Sequence, residues 1–317
     1  MKKFDVITFG EALIDFTDIG IGENGMKIFE QNPGGAPANV ACACAKLGIK
    51  TAFMGKVGKD MHGDFLVETF KNYGVDTSCI AKDEKAFTTL AFVSLSDTGE
   101  RSFSFSRFKS ADVNITTDDI DFDTIKNSTV FHFGSLSLTD EPAKSTTLEC
   151  VKFAKDNGVL VSYDPNYRPL LWKSEEIACQ EMASVLSMVD IIKISDEEIE
   201  LICNTKDVKE ASEFLHAKGI KIVLITLGGN GAFVSVNSHS ATIPTKATNV
   251  VDTTGAGDSF LGGFLYKLLY DNGASLDITF DKAKEYVAFA NSVAGLCVTK
   301  RGAIPAMPTL EEVLKNL

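Results

Sequence analysis

The sequence predicts an α/β fold: helices cover both faces of a central, mostly parallel sheet, and a small β-sheet is inserted as a lid. Three observations lead there. Short apolar runs alternate with helical patterns along the chain. The runs are continuously rather than alternately apolar, as strands buried on both faces must be. Two segments, at about 16–32 and 87–108, break the rhythm with sequence that is not helical in pattern.

In chain order, the run at 6–9 leads into a loop that carries Asp15. A helical pattern at 38–47 follows, with Pro37 suited to its first turn and Gly48 to its stop. The run at 51–54 precedes a helix at 63–73, and the run at 130–133 precedes one at 145–157. Runs at 159–163, 191–194 and 220–227 continue the sheet, with a helix at 207–218. The last clear helix, 258–272, has apolar positions 260, 261, 264, 265, 268 and 269 and a stop at Gly273. Residues 87–108 read as two alternating strands around Asp97-Thr-Gly-Glu100, a hairpin signature. No repeat or linker divides the chain, so residues 1–317 are expected to form one domain with lid strands at about 16–32 and 87–108.

The chain's 317 residues, 44% hydrophobic and 23% charged, can bury a large core without staples. The net charge of −12 repels nucleic-acid phosphates and anionic membranes at long range. An anionic ligand must therefore be met locally, by backbone N–H groups, a helix end or a few placed cations. Seven cysteines without a CxxC, several in apolar surroundings such as Cys42, Cys44 and Cys297, point to reduced core thiols of a cytoplasmic protein. The amino terminus reaches Asp5 before any apolar run, which argues against a signal peptide. No apolar stretch approaches the ~18 residues of a membrane helix.

The segment Asn249-Val-Val-Asp252-Thr-Thr-Gly255-Ala-Gly257-Asp258 is the richest in chemistry. Gly255, Ala256 and Gly257 fall at a helix amino terminus, where free N–H groups and the positive end of the dipole face an anion. Asp258 falls in the first turn, where the dipole favours a carboxylate. Phosphoryl transfer needs this pairing: donors for the transferred group and a base for the acceptor hydroxyl. Taken alone, a plain glycine turn accounts for the motif equally well. Competing motifs fail. Gly255-Ala-Gly257 is followed by Asp258, Ser259 and Phe260, with no third glycine in register for a dinucleotide fingerprint. Gly58-Lys-Asp-Met-His-Gly63-Asp64 puts an acid where a P-loop needs lysine, and neither HExxH nor GxSxG occurs. A second glycine site, Asn32-Pro-Gly34-Gly35-Ala-Pro37-Ala-Asn39, allows close approach of a ligand, and Asn39 offers both donor and acceptor to a polyol. Asp15, at the end of the first strand, lies where open α/β sheets bind ligands.

Together these segments resemble the ribokinase-like sugar kinases, the pfkB family, and within it the bacterial fructokinase branch. The resemblance is nearly full length. It rests on Gly10-Glu-Ala-Leu-Ile-Asp15, Gly34-Gly-Ala-Pro-Ala-Asn39, Gly55-Lys-Val-Gly58-Lys-Asp60, Asp164-Pro-Asn166-Tyr-Arg168-Pro-Leu-Leu-Trp172 and Asp252-Thr-Thr-Gly-Ala-Gly-Asp258. It implies that Asp258 is the base and that Gly255, Ala256 and Gly257 form the anion hole. It implies that Asp15, Gly34, Gly35 and Asn39 bind the sugar. Ile225-Thr226-Leu-Gly228-Gly-Asn-Gly231 is similar to the family's nucleotide loop, which places Thr226, Gly228 and Gly231 near ATP. Asn291 falls where the family packs the nucleotide base. Ser195-Asp-Glu-Glu198 matches the element whose glutamate holds Mg²⁺ through water, with Ser195 in place of asparagine and Glu197 a neighbouring mimic. Asp252 and Thr254, with carbonyls from 297–303, match the positions of a monovalent cation such as K⁺. The lid implies a homodimer.

Arg107 and Arg168 could clamp a carboxylate, as in the related 2-keto-3-deoxygluconate kinases. The motifs look more like fructokinase. D-fructose, phosphorylated at its 6-hydroxyl, is therefore the expected acceptor, with sugar acids second and ribosides third. A sugar-binding regulator without chemistry would not need Asp258 or the glycines beside it.

Overall fold

The computed structural model describes residues 2–95, 101–246 and 249–317, so the expected turn Asp97-Thr-Gly-Glu100 lies outside the described residues. The first half contains β1 (Phe4–Phe9), β2 (Leu13–Ile21), β3 (Lys27–Gly34), α1 (Ala36–Lys46), β4 (Thr51–Gly58), α2 (Met61–Asn72), β5 (Ile80–Asp83), β6 (Thr89–Leu95), β7 (Arg101–Ser106), α3 (Phe122–Lys126) and β8 (Ser128–Gly134). The second half contains α4 (Ala143–Asp156), β9 (Leu160–Asp164), α5 (Glu175–Ser184), β10 (Ile191–Ser195), α6 (Asp196–Cys203), α7 (Val208–Ala217) and β11 (Ile222–Thr226). After these come β12 (Ala232–Val236), β13 (His239–Ile243), α8 (Ala256–Asn272), α9 (Phe280–Cys297) and α10 (Leu310–Lys315).

Among the described residues the strands form two sheets, a larger one ordered β13-β12-β11-β10-β9-β8-β1-β4-β5 and a smaller one ordered β3-β2-β6-β7. The pairs from β11 through β5 are parallel, and β12 and β13 add an antiparallel edge. The chain grows from β1 to β4 and β5, then resumes at β8 on the other side of β1. The direction of growth therefore reverses between β1 and β8, and open α/β sheets bind ligands at the carboxyl ends of strands flanking such a reversal.

Strand periodicity explains why the runs read as unbroken apolar sequence. Ile7, Phe131, Val161, Ile192 and Val223 enter one core with Val151 of α4, Ala178 of α5, Ile199 of α6 and Leu215 of α7. Val6, Val130, Ile191, Ile222 and Leu224 enter the opposite core with Phe260 and Phe264 of α8 and Tyr286 of α9. Each fully buried side chain of this size contributes about 1.5–3 kcal/mol. The expected α/β core with helices on both faces is what the chain builds.

The smaller sheet joins β2 to β3 antiparallel, β2 to β6 parallel and β6 to β7 antiparallel. Phe16 and Phe92 stack within it at 5.4 Å, and Phe29 meets Phe92 edge-on at 6.1 Å. Two sequence expectations need correction. Asp15 is not in a loop: it lies inside β2, opposite Asn32 of β3 and Ala91 of β6. The β12–β13 hairpin was not foreseen, because its turn is made by Asn237 and Ser238, both at positive φ, rather than by a glycine pair. No helix among the described residues is long and apolar enough to cross a membrane.

Two interior glycines let α8 lie against both its neighbours. A Cβ on Gly262 would stand 2.8 Å from Ala43 Cβ of α1. One on Gly263 would stand 2.9 Å from Val293 Cγ2 and 3.0 Å from Ala290 Cα of α9. Replacing an exposed helix-interior glycine by alanine would stabilise by about 1 kcal/mol, whereas overpacking costs about 1–3 kcal/mol. Because one neighbour is backbone, Gly263→Ala is expected to destabilise by roughly 1–2 kcal/mol net, read as a lower urea midpoint at unchanged slope.

Candidate active site

Helix α8 opens on Gly255, whose φ of 77° is left-handed and favours glycine. The Ala256 N–H returns to Thr253 O at 3.2 Å, whereas the Gly257 N–H has no protein acceptor among the described residues. Asp258 follows in the first turn, 5% exposed. Two amides grip its carboxylate: Asn39 Nδ2 donates to Oδ2 at 2.8 Å and Asn166 Nδ2 to Oδ1 at 3.4 Å. Burial first, and Asp164 second, push Asp258 up to about 6, against Lys193, the Asn39 hydrogen bond and Arg168. The carboxylate is thus ionised at neutral pH and closer than usual to the affinity a proton acceptor needs.

Glycine at 34 and 35 lets the smaller sheet come down on this centre. A Cβ on Gly34 would lie 2.4 Å from Asp15 Oδ2, and one on Gly35 2.4 Å from Glu11 O. Burial raises Asp15 to about 6, with Arg168 opposing. Asn39 Nδ2 is committed to Asp258, while its Oδ1 is buried without a partner among the described residues. Arg168 is exposed, with Nη1 donating to Tyr167 O at 3.0 Å. Arg107 is buried, and three of its five N–H groups are used: Nε donates to Asp112 Oδ2, Nη1 to Thr139 Oγ1 and Nη2 to Leu136 O, each at 2.8 Å. It still lines a cleft of about 340 Å³ with Phe105, Phe108, Asp140, Leu170 and Leu171.

The expected nucleotide positions separate into two groups. Thr226 ends β11 and donates to Ile194 O at 3.4 Å, and a Cβ on Gly228 would meet open space. Other residues have structural duties that sequence alone did not show. A Cβ on Gly231 would lie 2.1 Å from Ile243 O, so the β13 exit alone requires glycine there. Asn291 Nδ2 donates to Ile243 O at 2.9 Å and Pro244 O at 3.4 Å, tying α9 to the end of β13. Ser195 caps α6 in a capping box with Glu198.

Glu198 is buried, with Oε1 accepting from Tyr167 N at 2.7 Å and Oε2 from Ser195 N at 2.8 Å; Glu197 is exposed. No group of three or more His, Cys, Asp or Glu side chains among the described residues could cage a metal. This donor set fits Mg²⁺ arriving on nucleotide phosphates with its own waters, and does not fit a resident protein cage. At the other side, Asp252 Oδ1 accepts from Thr254 N at 3.0 Å and Thr254 Oγ1 at 2.7 Å, and Oδ2 accepts from Gly302 N at 3.0 Å. This joins the loop before α8 to the loop after α9 with hard oxygen atoms of the kind K⁺ takes.

Sequence reasoning assigned no role to Glu11, Asp164, Asn166 and Lys193, which the fold brings to the same centre. One signal was available: Lys193 interrupts the otherwise apolar strand Ile191-Ile-Lys193-Ile. Glu11 is 2% exposed, its Oε1 accepts from Ala36 N at 2.9 Å, and its Oε2 is buried without a partner among the described residues.

A family model described as "pfkB family carbohydrate kinase" matches residues 3–310. A protein of Arabidopsis thaliana named probable fructokinase-5 is 43% identical over 314 residues, covering 98% of this chain and 96% of its own. The ATP-bound fructokinase structure from Xylella fastidiosa superposes with a TM-score of 0.91 at 36% identity, covering 99% of this chain and 98% of that one. A double-mutant fructokinase from Vibrio cholerae O395, solved with fructose, ADP and a potassium ion, gives a TM-score of 0.87 at 30% identity over 99% of each chain.

Burial pushes Glu11 up to about 7, against Arg107 and its hydrogen bond from Ala36. An acid held above its ordinary value binds its proton more tightly when folded, so its stabilising contribution is complete at low pH and is lost as pH rises through 7. The difference in unfolding free energy between pH 5 and pH 8 is therefore expected to shrink by roughly 2 kcal/mol in Glu11→Gln, as measured by urea denaturation at the two pH values.

Proposed function

The chain belongs to the pfkB family of carbohydrate kinases, and on that premise we propose that it transfers the γ-phosphoryl group of ATP to the 6-hydroxyl of D-fructose. One observation carries the reading: a buried carboxylate, Asp258, gripped by two amides, stands one residue beyond an N–H-lined helix terminus. A base and an anion hole so close together can act on the two ends of a forming O–P bond.

In the proposed reaction Asp258 takes the proton of the acceptor hydroxyl as that oxygen attacks the γ-phosphorus in line. The bond from the γ-phosphorus to the β,γ-bridging oxygen breaks, and ADP leaves. Backbone N–H groups at Gly255 and Gly257 meet the charge that develops on the transferred group, and Ala256, whose N–H returns to Thr253 O, holds the turn between them. Asp15 and the free Oδ1 of Asn39 accept hydrogen bonds from sugar hydroxyls, with Gly34 and Gly35 leaving room. The nucleotide lies along Thr226 and Gly228. Mg²⁺ bound with ATP would supply charge neutralisation on the phosphates, and Glu198 would help hold it through water; K⁺ would lie against Asp252 and Thr254. In this reading the chain is one kinase domain whose smaller sheet is a lid that excludes water. The exposed Ile19, Ile21, Met26 and Ile28 on that lid suit a second copy of the chain.

A neutral hexose is favoured over a sugar acid because the charge of Arg107 is already paired inside the fold with buried Asp112, Nε to Oδ2 at 2.8 Å.

ADP release from MgATP with D-fructose is expected to exceed that with 2-keto-3-deoxygluconate, ribose or a purine riboside. Asp258→Asn should lower kcat by about 100- to 10,000-fold, the usual range for a lost general base. Preference for the keto-acid would move the acceptor to sugar acids, and unchanged turnover in Asp258→Asn would remove the base assignment. Because the base must be ionised, kcat/KM for fructose should fall as pH drops through about 6.

A further inference from the structure

Lys193 is a cation in the middle of a buried strand. It shares the α8-facing side of β10 with Ile191, two residues before it. Only 7% of its side chain is exposed, so its charge must be compensated inside the protein. Its Nζ donates to Asp164 Oδ2 at 3.0 Å, its one hydrogen bond among the described residues. A Cβ built on Gly257 would stand 2.6 Å from Nζ, so the ammonium lies against the residue immediately before Asp258. Asp164 Oδ1 in turn accepts from Asn166 N at 3.2 Å, and the Asn166 amide reaches Asp258 Oδ1 at 3.4 Å. Cation, counter-ion, amide and carboxylate make one connected unit.

The other groups around Asp258 do not replace this cation. From α1 comes the neutral amide of Asn39. From the β9 exit come Asp164 and the exposed Arg168. From α9 comes Cys297, whose thiol burial pushes up to about 11 and so keeps neutral. Glu198 of α6 acts on Lys193, with Asp164 and Asp258. Lys193 is therefore the buried fixed charge that offsets burial of the carboxylate. With no partner of its own it would pair with Asp258 directly and leave a weak base.

We propose that Lys193 and Asp164 act as a positioning pair for the Asp258 base, the lysine holding the buried carboxylate ionised and the aspartate restraining the lysine so that the carboxylate still accepts a proton. The proposal rests on Asp258 being the base. It gives the two partners opposite effects on one observable: loss of Lys193 disfavours the ionised carboxylate, and loss of the Asp164 charge favours it.

The test is the pH profile of kcat/KM for D-fructose at saturating MgATP in the wild type, Lys193→Met, Lys193→Arg, Asp164→Asn and the double variant Lys193→Met/Asp164→Asn. The acid limb is expected to move up by about one pH unit or more in Lys193→Met and down in Asp164→Asn. Lys193→Arg should restore the wild-type midpoint. The double variant leaves neither charge buried alone, which guards against a single variant that fails to fold; its midpoint should lie between those of the single variants, or within half a unit of wild type where these cannot be measured. Lower plateaus with an unmoved acid limb, or shifts of the same sign in Lys193→Met and Asp164→Asn, would overturn the pairing. A double-variant midpoint displaced by a full unit would do the same. Full activity in Asp258→Asn, run alongside, would instead overturn the base assignment on which the proposal stands.

Discussion

The site depends on a carboxylate taken out of water in a chain whose net charge is already −12. Burying Asp258 works against its ionisation, and the nearby Asp164 adds to that. The surroundings answer with donors rather than solvent: the amides of Asn39 and Asn166, the ammonium of Lys193 and the amino terminus of α8. These come from α1, the β9 exit, β10 and α8, so the surroundings of Asp258 are assembled only when both halves of the larger sheet are in place. The position between the two halves follows from the reversal of strand order at β1 and β8.

The period of a strand decides which polar residues reach this centre. Residues of the same parity as Ile191 and Val130 face α8, and Lys193 has that parity. A lysine one residue earlier or later would face the core containing α5 and α6 and have neither Asp164 nor Gly257 beside it. His132, of the same parity as Val130, is buried beside Ser162 at 3.1 Å and held near 3 by burial and by Lys193. That ring is neutral, so it adds no second positive charge beside Lys193.

Arg107 shows how a motif residue changes meaning in three dimensions. In sequence it is an arginine at the end of a lid strand, suited to a carboxylate. In the fold Asp112, which hydrogen-bonds Thr89 and Ser110 as well, holds the guanidinium, and Thr139 Oγ1 and Leu136 O accept from its Nη1 and Nη2. Arg107 thereby fastens the foot of the smaller sheet to the loop after β8. Asn291 and Gly231 have similar duties around the end of β13. None of these contacts is periodic, and those of Arg107 with Leu136 and Thr139 and of Asn291 with Ile243 join residues far apart in the chain.

The alternation of apolar runs with helical patterns was enough for the α/β core, because periodicity is local and burial imposes it. Gly255 and Gly257 around Asp258, and Pro37 with Gly48 around α1, were legible because helix ends demand particular residue types within a few positions. Asp15 was legible as a residue but not as a strand position, since β2 pairs with β3 and β6 of a separate sheet and nothing within β2 announces them. The β12–β13 hairpin hid behind a turn without glycine. Only tertiary structure decided that Asn39 holds Asp258, that Arg107 pairs with Asp112, and that Lys193, Asp164 and Asn166 form one unit with Asp258. Those facts depend on which strands lie side by side and which face each side chain takes, and both are settled by packing between distant segments.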